Sequence, residues 1–192
     1  MKRFATRPAL LALLAAFAAP SVLAQATPAA KSPKSEEKIA PSLAREIHHQ
    51  LLLLPFYSVF DSISFSLEGS KVTLAGQVLR HNLREHAEAA VKSIEGVGLV
   101  VNQIEILPVS PSDDDLRRAV YRALYEDPVL ARYAIQNVPE IHIIVKNSNV
   151  TLEGTVDSLS DKNLAANRAS SAANVSSVKN DLVVHTKENP AE

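Results

Sequence analysis

One heptapeptide occurs twice. VTLAGQV at 72–78 returns as VTLEGTV at 150–156, an offset of 78 residues. The same offset pairs Ile63, Phe65 and Leu67 with Ile141, Ile143 and Val145, and Val97, Val100 and Asn102 with Val175, Val178 and Asn180. Upstream the offset is 73, pairing Leu43, Ile47, Leu51 and Pro55 with Leu116, Val120, Leu124 and Pro128. A repeat this long restricts the chain to two copies of one small unit, the second carrying five extra residues within LARYAIQNVPE (130–140).

Each copy reads as α-β-β-α-β. Apolar residues four apart mark a first helix, with Ser42 or Ser112 as expected N-cap and Asp113 to Asp115 suited to the positive end of the second copy's helix. It ends near Pro55 or Pro128, because the residue before a proline avoids helical geometry. Two alternating strands follow, 63–67 and 71–79, joined by Glu68-Gly69-Ser70; the second copy has 141–145 and 149–157 around Lys146-Asn147-Ser148. A second helix carries Leu83, Ala87, Ala90, Val91 and Ile94, with Asn82 to Glu85 as an expected capping box. Its counterpart, about 161–173, is richer in alanine. Last strands are expected at 99–107 and 177–185. The fold class is α+β: two units, 41–108 and 112–187, each a small three-stranded mixed sheet covered by two helices. A unit of about 70 residues buries only about 60% of its unfolded surface, so the two are expected to pack together.

Residues 1–24 read as a secretory signal peptide. Lys2, Arg3 and Arg7 precede the uncharged run 9–19, and Val22-Leu23-Ala24 precedes Gln25 as a small-residue cleavage site. The run is shorter than the roughly 20 residues a membrane-spanning helix needs. The next segment, 25–40, rich in Ala, Pro, Ser and Lys, reads as a disordered tether, and 188–192 as a tail. The full chain has 20 Lys and Arg against 21 Asp and Glu. The leader holds three basic residues and no acid, so the remainder stands at 17 against 21, a net −4. That opposes bulk attraction to nucleic acid or anionic lipid but leaves room for a local basic patch. With no cysteine there are no disulfides, no thiolate chemistry and no lipid-bearing cysteine after the leader. The expected mature protein is exported, unlipidated, without a transmembrane span, and soluble or peripherally bound.

The leader, the tether and two units, each with a helix ending near proline, a V-T-L-x-G-x-V strand and a V-x-x-V-x-N segment, resemble a tandem protein of the BON domain family (bacterial OsmY and nodulation) over about 42–186. The family glycine maps to Gly76 and Gly154; the glycine-valine before the last strand maps to Gly96-Val97 and becomes Asn174-Val175 in the second copy. The resemblance implies a non-enzymatic periplasmic envelope protein that binds phospholipid membrane surfaces or supports envelope integrity under osmotic stress. Gly76 and Gly154, in mid-strand, read as structural, at a bulge or close backbone approach.

No catalytic motif, phosphate loop or cofactor signature is present, and no cofactor is expected. His48 and His49 diverge by about 100° on a helix. His81 and His86 are five apart, off metal-binding helical spacing. There is no basic run for nucleic acid. One pattern stands out. On a helical wheel Arg118, Tyr121, Arg122 and Tyr125 fall opposite Leu116, Val120 and Leu124. Arginine binds phosphate bidentately and tyrosine suits the headgroup level, so these four are candidates for an anionic phospholipid surface. The alternatives are an ordinary solvated face, with the tyrosines lying over the neighbouring unit, or an envelope-protein contact. The first copy's equivalent stripe is Arg45, His48, His49 and Leu52. The stretch LLLLPFY (51–57) carries an apolar surplus. Leu51 and Leu54 point to the core, and Leu52, Leu53, Phe56 and Tyr57 are candidates for a shallow lipid or partner contact or for the seam between units, the seam being favoured.

Overall fold

The computed structural model describes residues 33–135 and 138–185, with side chains from residue 41 onward. The expected leader at 1–24 and the tail at 188–192 lie outside the described residues, as do 25–32 of the expected tether. The first repeat consists of α1 (Pro33–Leu52), β1 (Ser62–Glu68), β2 (Lys71–Val78), α2 (His81–Lys92), β3 (Leu99–Asn102) and β4 (Glu105–Ile106). The second consists of α3 (Pro111–Tyr125), a 3-10 turn (Leu130–Ala134), β5 (Ile141–Lys146), β6 (Asn149–Val156), α4 (Leu159–Ser170), β7 (Ser177–Asn180) and β8 (Val183–Val184). In each sheet the strand bearing the heptapeptide is central. β1 pairs antiparallel with β2 on one side, and β3 and β4 pair parallel with it on the other. The second sheet repeats this register residue for residue around β6.

Each expected last strand is broken once, and the repeated asparagine sits at the break. Asn102 donates Nδ2–H to the Arg84 carbonyl at 3.0 Å and accepts from the Ile104 N–H at 3.1 Å. Asn180 bonds the Lys162 carbonyl and the Leu182 N–H in the same way, at 2.8 and 3.3 Å. The side chain thus ties the edge strand to the second helix, and Ile104 and Leu182 turn into the core.

Helix starts differ from the sequence reading, for local reasons. α1 begins at Pro33, so 33–40 is helical rather than a disordered tether and Ser42 lies inside the helix instead of capping it. Proline is favoured at a first helical position, and Glu36, Glu37 and Lys38 are good helix formers. α2 is preceded by Arg80 with no side-chain cap, so the Asn82 capping box does not form. Starting at His81 aligns Leu83, Ala87 and Val91 on the core and lets His81 meet Glu85 at 3.1 Å. α3 is capped by Ser110, not Ser112, because Pro111 takes the first helical position. α4 starts at Leu159, capped by Ser158, whose hydroxyl exchanges hydrogen bonds with Asp161.

Asp113, on the first turn of α3, does more than face the helix dipole. It is buried, and its carboxylate accepts the Asn147 and Ser148 N–H groups, both at 2.9 Å. These are the two hairpin residues at φ 51° and 62°, a left-handed pair that is otherwise costly for side chains other than glycine. The helix start therefore holds the β5–β6 turn in its strained conformation.

Two apolar cores result. One gathers Ile47, Leu51, Leu74, Leu83 and Val91 of the first repeat. The other gathers Val120, Leu124, Ile141, Ile143 and Leu152 of the second, and also includes Val59, which belongs to the first repeat. The loop after α1 crosses over. Val59 is buried in the second core, Phe60 packs against it, and the Val59 carbonyl accepts the Ile143 N–H at 2.8 Å. Asp61, buried, clamps the loop by accepting the Ser58 N–H and hydroxyl and the Leu79 N–H at 2.8 Å. Ser62 to Glu153 and Lys146 to Glu105 (2.6 Å) add polar contacts across the seam. The five extra residues of the second copy fall in the 3-10 turn region, where Leu130 and Tyr133 close the second core. The Tyr133 hydroxyl donates to Asp161 and accepts the Asp157 N–H, both at 2.9 Å.

Candidate functional site: the outer face of α3

α3 turns Leu116, Val120 and Leu124 into the second core, which leaves Arg118, Tyr121 and Arg122 on its other side. Arg118 is exposed and, among the described residues, forms its ion pair with Asp115 one turn back, itself exposed. Such a surface pair is weak and easily exchanged. Arg122 is exposed, and no carboxylate among the described residues forms an ion pair with it. Tyr121 retains 37% of its surface. Together with Phe60 these residues line a shallow hollow of about 520 Å³.

Tyr125 corrects the wheel. Its ring packs against the second core and its hydroxyl donates to the Ile141 carbonyl at 2.6 Å. Burial pushes the hydroxyl well above its ordinary pKa. The wheel places Tyr125 opposite Leu116, but its hydroxyl meets the first residue of β5 and the side chain is half-buried. Tyr125 is therefore a support: its ring lies 4.9 Å from that of Tyr121, which lies 6.1 Å from that of Phe60. Phe60 escaped the sequence reading because it lies in the other repeat, beyond any helical or strand periodicity. The only signal for it was its place in the aromatic run after Pro55.

The LLLLPFY stretch divides. Leu51 and Leu54 are buried in the first core, as the wheel requires. Tyr57 lies on the seam, its ring 5.5 Å from that of His142, and burial pushes its hydroxyl up to about 12. Leu52 is partly exposed and lines the cleft between the repeats. Leu53 and Phe56 do not join the seam: they are 63% and 60% exposed. Leu53 follows the last residue of α1, off the stripe of Leu43, Ile47 and Leu51 that fills the first core. Phe56 sits at φ 69°, which swings its ring outward under the Arg80 guanidinium, 5.0 Å from the ring centre.

The cleft between the repeats, about 580 Å³, is bounded by His48, Leu52, Tyr57, Phe65, His142 and Glu153 among others. Among the described residues no group of three or more His, Asp or Glu is placed to hold a metal ion. His142 lies partly buried at this cleft. Burial pulls its pKa below the ordinary 6.5, against hydrogen bonding to the Asp61 carbonyl and the charge of Glu153. The folded seam thus disfavours the imidazolium that the unfolded chain accepts. Its stabilising effect is complete above pH 6.5 and is lost as the pH falls below that value. Asp127 is held low by the Val129 N–H. Asp161 is held low because hydrogen bonds from Ser158, Tyr133 and Arg132 outweigh its burial. Both are lost only in a separate window, below their ordinary 3.8. Between about pH 7.5 and 5.5 the melting temperature is therefore expected to fall, and His142→Phe, which keeps a ring against Tyr57, to flatten that fall. An unchanged slope in the variant would remove His142 from this role.

The glycines of the motif are set by backbone contact. A Cβ on Gly76 would lie 2.1 Å from the Ser62 carbonyl oxygen, and on Gly154 1.9 Å from that of Glu140. Gly96 has room for a Cβ but sits at φ 96°, and Asn174, its counterpart, at φ 67°.

Comparison with known proteins agrees with this architecture. Two solved structures show a distant similarity to the chain. One is the C-terminal domain of CdsD, the structural protein of the type III secretion system of Chlamydia trachomatis: 13% identity over 75% of this chain and 98% of that one, TM-score 0.27. The other is a further structure of CdsD: 14% identity over 77% and 94%, TM-score 0.27. Likenesses at that TM-score carry no argument. No curated protein sequence matches the chain. The family model of the BON domain matches residues 54–108 and again 112–186, more than half of the chain and both repeats, so this protein belongs to the BON domain family and carries two BON domains in tandem.

Proposed function

We propose that this protein is a non-enzymatic, exported envelope protein that binds anionic phospholipid surfaces peripherally through the outer face of α3 and supports envelope integrity. BON domains are non-catalytic binding modules linked in general to membranes and phospholipid, to the envelope and to osmotic stress, which supports the reading. No helix among the described residues is long and apolar enough to cross a membrane. In this reading residues 1–24 are a leader removed after Ala24, and domains 41–108 and 112–187 form the working part. The observation that carries the reading is the pairing of solvent-facing Arg118 and Arg122 with the Phe60–Tyr121 rings around one hollow. Because the mature chain is net negative, attraction to an anionic surface has to be local.

The test is sedimentation with phosphatidylglycerol-containing vesicles. Binding is expected to weaken with salt and to be absent with phosphatidylcholine alone. Each basic side chain at an anionic surface contributes about 1 kcal/mol, so losing two costs about thirtyfold, and the repulsion added by Arg118→Glu with Arg122→Glu is expected to carry the loss to about a hundredfold or more. Unchanged binding by the double variant would sink the proposal. Exposed Leu53 and Phe56 support a second reading, a protein-interaction module. A stable oligomer that Leu53→Ser and Phe56→Ser disperse, in a chain that ignores vesicles, would put it first.

A further inference from the structure

We infer that the phospholipid site is composite. Its basic side comes from the second BON domain, and its apolar wall, Phe60, from the first. Phe60 selects a phosphate ester carrying hydrocarbon over free phosphate. This rests on the proposed membrane-binding role and adds to it a residue, a selectivity and a reason for the tandem arrangement.

Four features lead there. The hollow is lined by Phe60, Arg118, Tyr121 and Arg122, with no acidic side chain among them. Arg118 and Arg122 are one helical turn apart on a single face, a spacing that lets both guanidinium groups address one phosphate. The aromatic wall is pre-set. Tyr125 is bonded to the Ile141 carbonyl, Tyr121 packs against Tyr125 at 55°, and Phe60 tilts at 59° against Tyr121. Phe60 itself is held by its neighbours: Val59 is buried in the second core, with its carbonyl bonded to the Ile143 N–H, and Asp61 clamps the loop to Ser58 and Leu79. A ring fixed in this way needs little further ordering when a ligand arrives. A single phosphate occupies only the arginines. A phospholipid headgroup also lays its glycerol and first methylenes on Phe60 and Tyr121, and burial of that carbon provides the discrimination.

The chain contains no tryptophan, so one introduced indole is a background-free reporter. The full chain is prepared with Phe60→Trp and, as control, with Leu99→Trp, a strand residue that does not line the hollow. Both are titrated with phosphatidylglycerol-containing vesicles carrying brominated acyl chains, and with inorganic phosphate. The Phe60→Trp emission is expected to shift to the blue and to be quenched by the brominated lipid, while phosphate alone leaves it unmoved and Leu99→Trp does not respond. Phe60→Ala is expected to lower vesicle affinity about tenfold, and Phe60→Leu to recover most of it. If the native chain binds but the Phe60→Trp emission ignores the vesicles, the composite site is wrong while the α3 reading stands. If the Arg118→Glu, Arg122→Glu chain binds as well as native, or the native chain does not bind at all, both fall. Should Phe60→Ala not fold, the Phe60→Trp emission decides alone.

Discussion

Gly154→Ala is expected to lower the free energy of unfolding by about 3 kcal/mol, one of the largest effects available to a single methyl group in this chain. Two costs combine. At φ 116° an L side chain is strained wherever it is placed. The added Cβ would also lie 1.9 Å from the Glu140 carbonyl oxygen, a backbone atom that cannot swing aside as a side chain would. Relief requires β5 to draw away from β6, which opens the Ile141–Gly154 pairing and the core beneath it. Gly76→Ala, facing the Ser62 carbonyl at 2.1 Å, is expected to behave alike in the first domain. Gly69→Ala is the control. Its φ of 61° is also left-handed, but nothing lies within 4 Å, so about 1 kcal/mol is expected. Urea unfolding followed by circular dichroism reads all three. Equal losses for Gly69 and Gly154 would mean that conformational strain alone, and not backbone contact, dictates glycine in the motif.

Val59→Asp is expected to cost about 4 kcal/mol and to act on the domain to which Val59 does not belong. Its side chain is buried in the second core, in one apolar cluster with Leu130, Ile141 and Ile143, where a carboxylate loses its hydration. The loop then either buries an unpaired charge or withdraws, taking with it the Val59 carbonyl that holds the Ile143 N–H. Amide exchange separates this from general destabilisation. Protection should fall first in β5 and β6, with β1 and β2 less affected. Val59→Ala, which only leaves a small cavity, is expected to cost about 1–2 kcal/mol with the same pattern. Loss of protection confined to the first domain would show that the crossover loop does not support the second core. Because Phe60 is the next residue, Val59→Asp also connects folding to the proposed site: a withdrawn loop removes the aromatic wall from the α3 hollow.

The repeat, the order of elements and the core faces were legible in the sequence because they rest on local periodicity. Leu43, Ile47 and Leu51, or Val150, Leu152 and Val156, occupy positions that helix and strand geometry alone assign to one side. The backbone contacts at Gly76 and Gly154 were legible for a similar reason, since a glycine amid β-branched strand residues signals close approach. Helix starts were less legible. Ser110 and Ser112 offer competing caps two residues apart, and α1 starts at Pro33, well before Ser42; in both cases a proline at the first helical position goes with the start observed.

The candidate site was half legible. Arg118, Tyr121 and Arg122 follow from one helix's own wheel, so the sequence determined by itself that they share the face away from Leu116 and Val120. Only the tertiary structure decided that Tyr125 leaves this face to bond Ile141, that Tyr57 is consumed by the seam against His142, and that Phe60 arrives from the other domain to complete the hollow. The physical reason is the same in each case. Periodicity reports which way a side chain points from its own element, whereas what covers it is set by segments far along the chain, and the loop at Val59 and Phe60 carries no periodic signal of the core it enters.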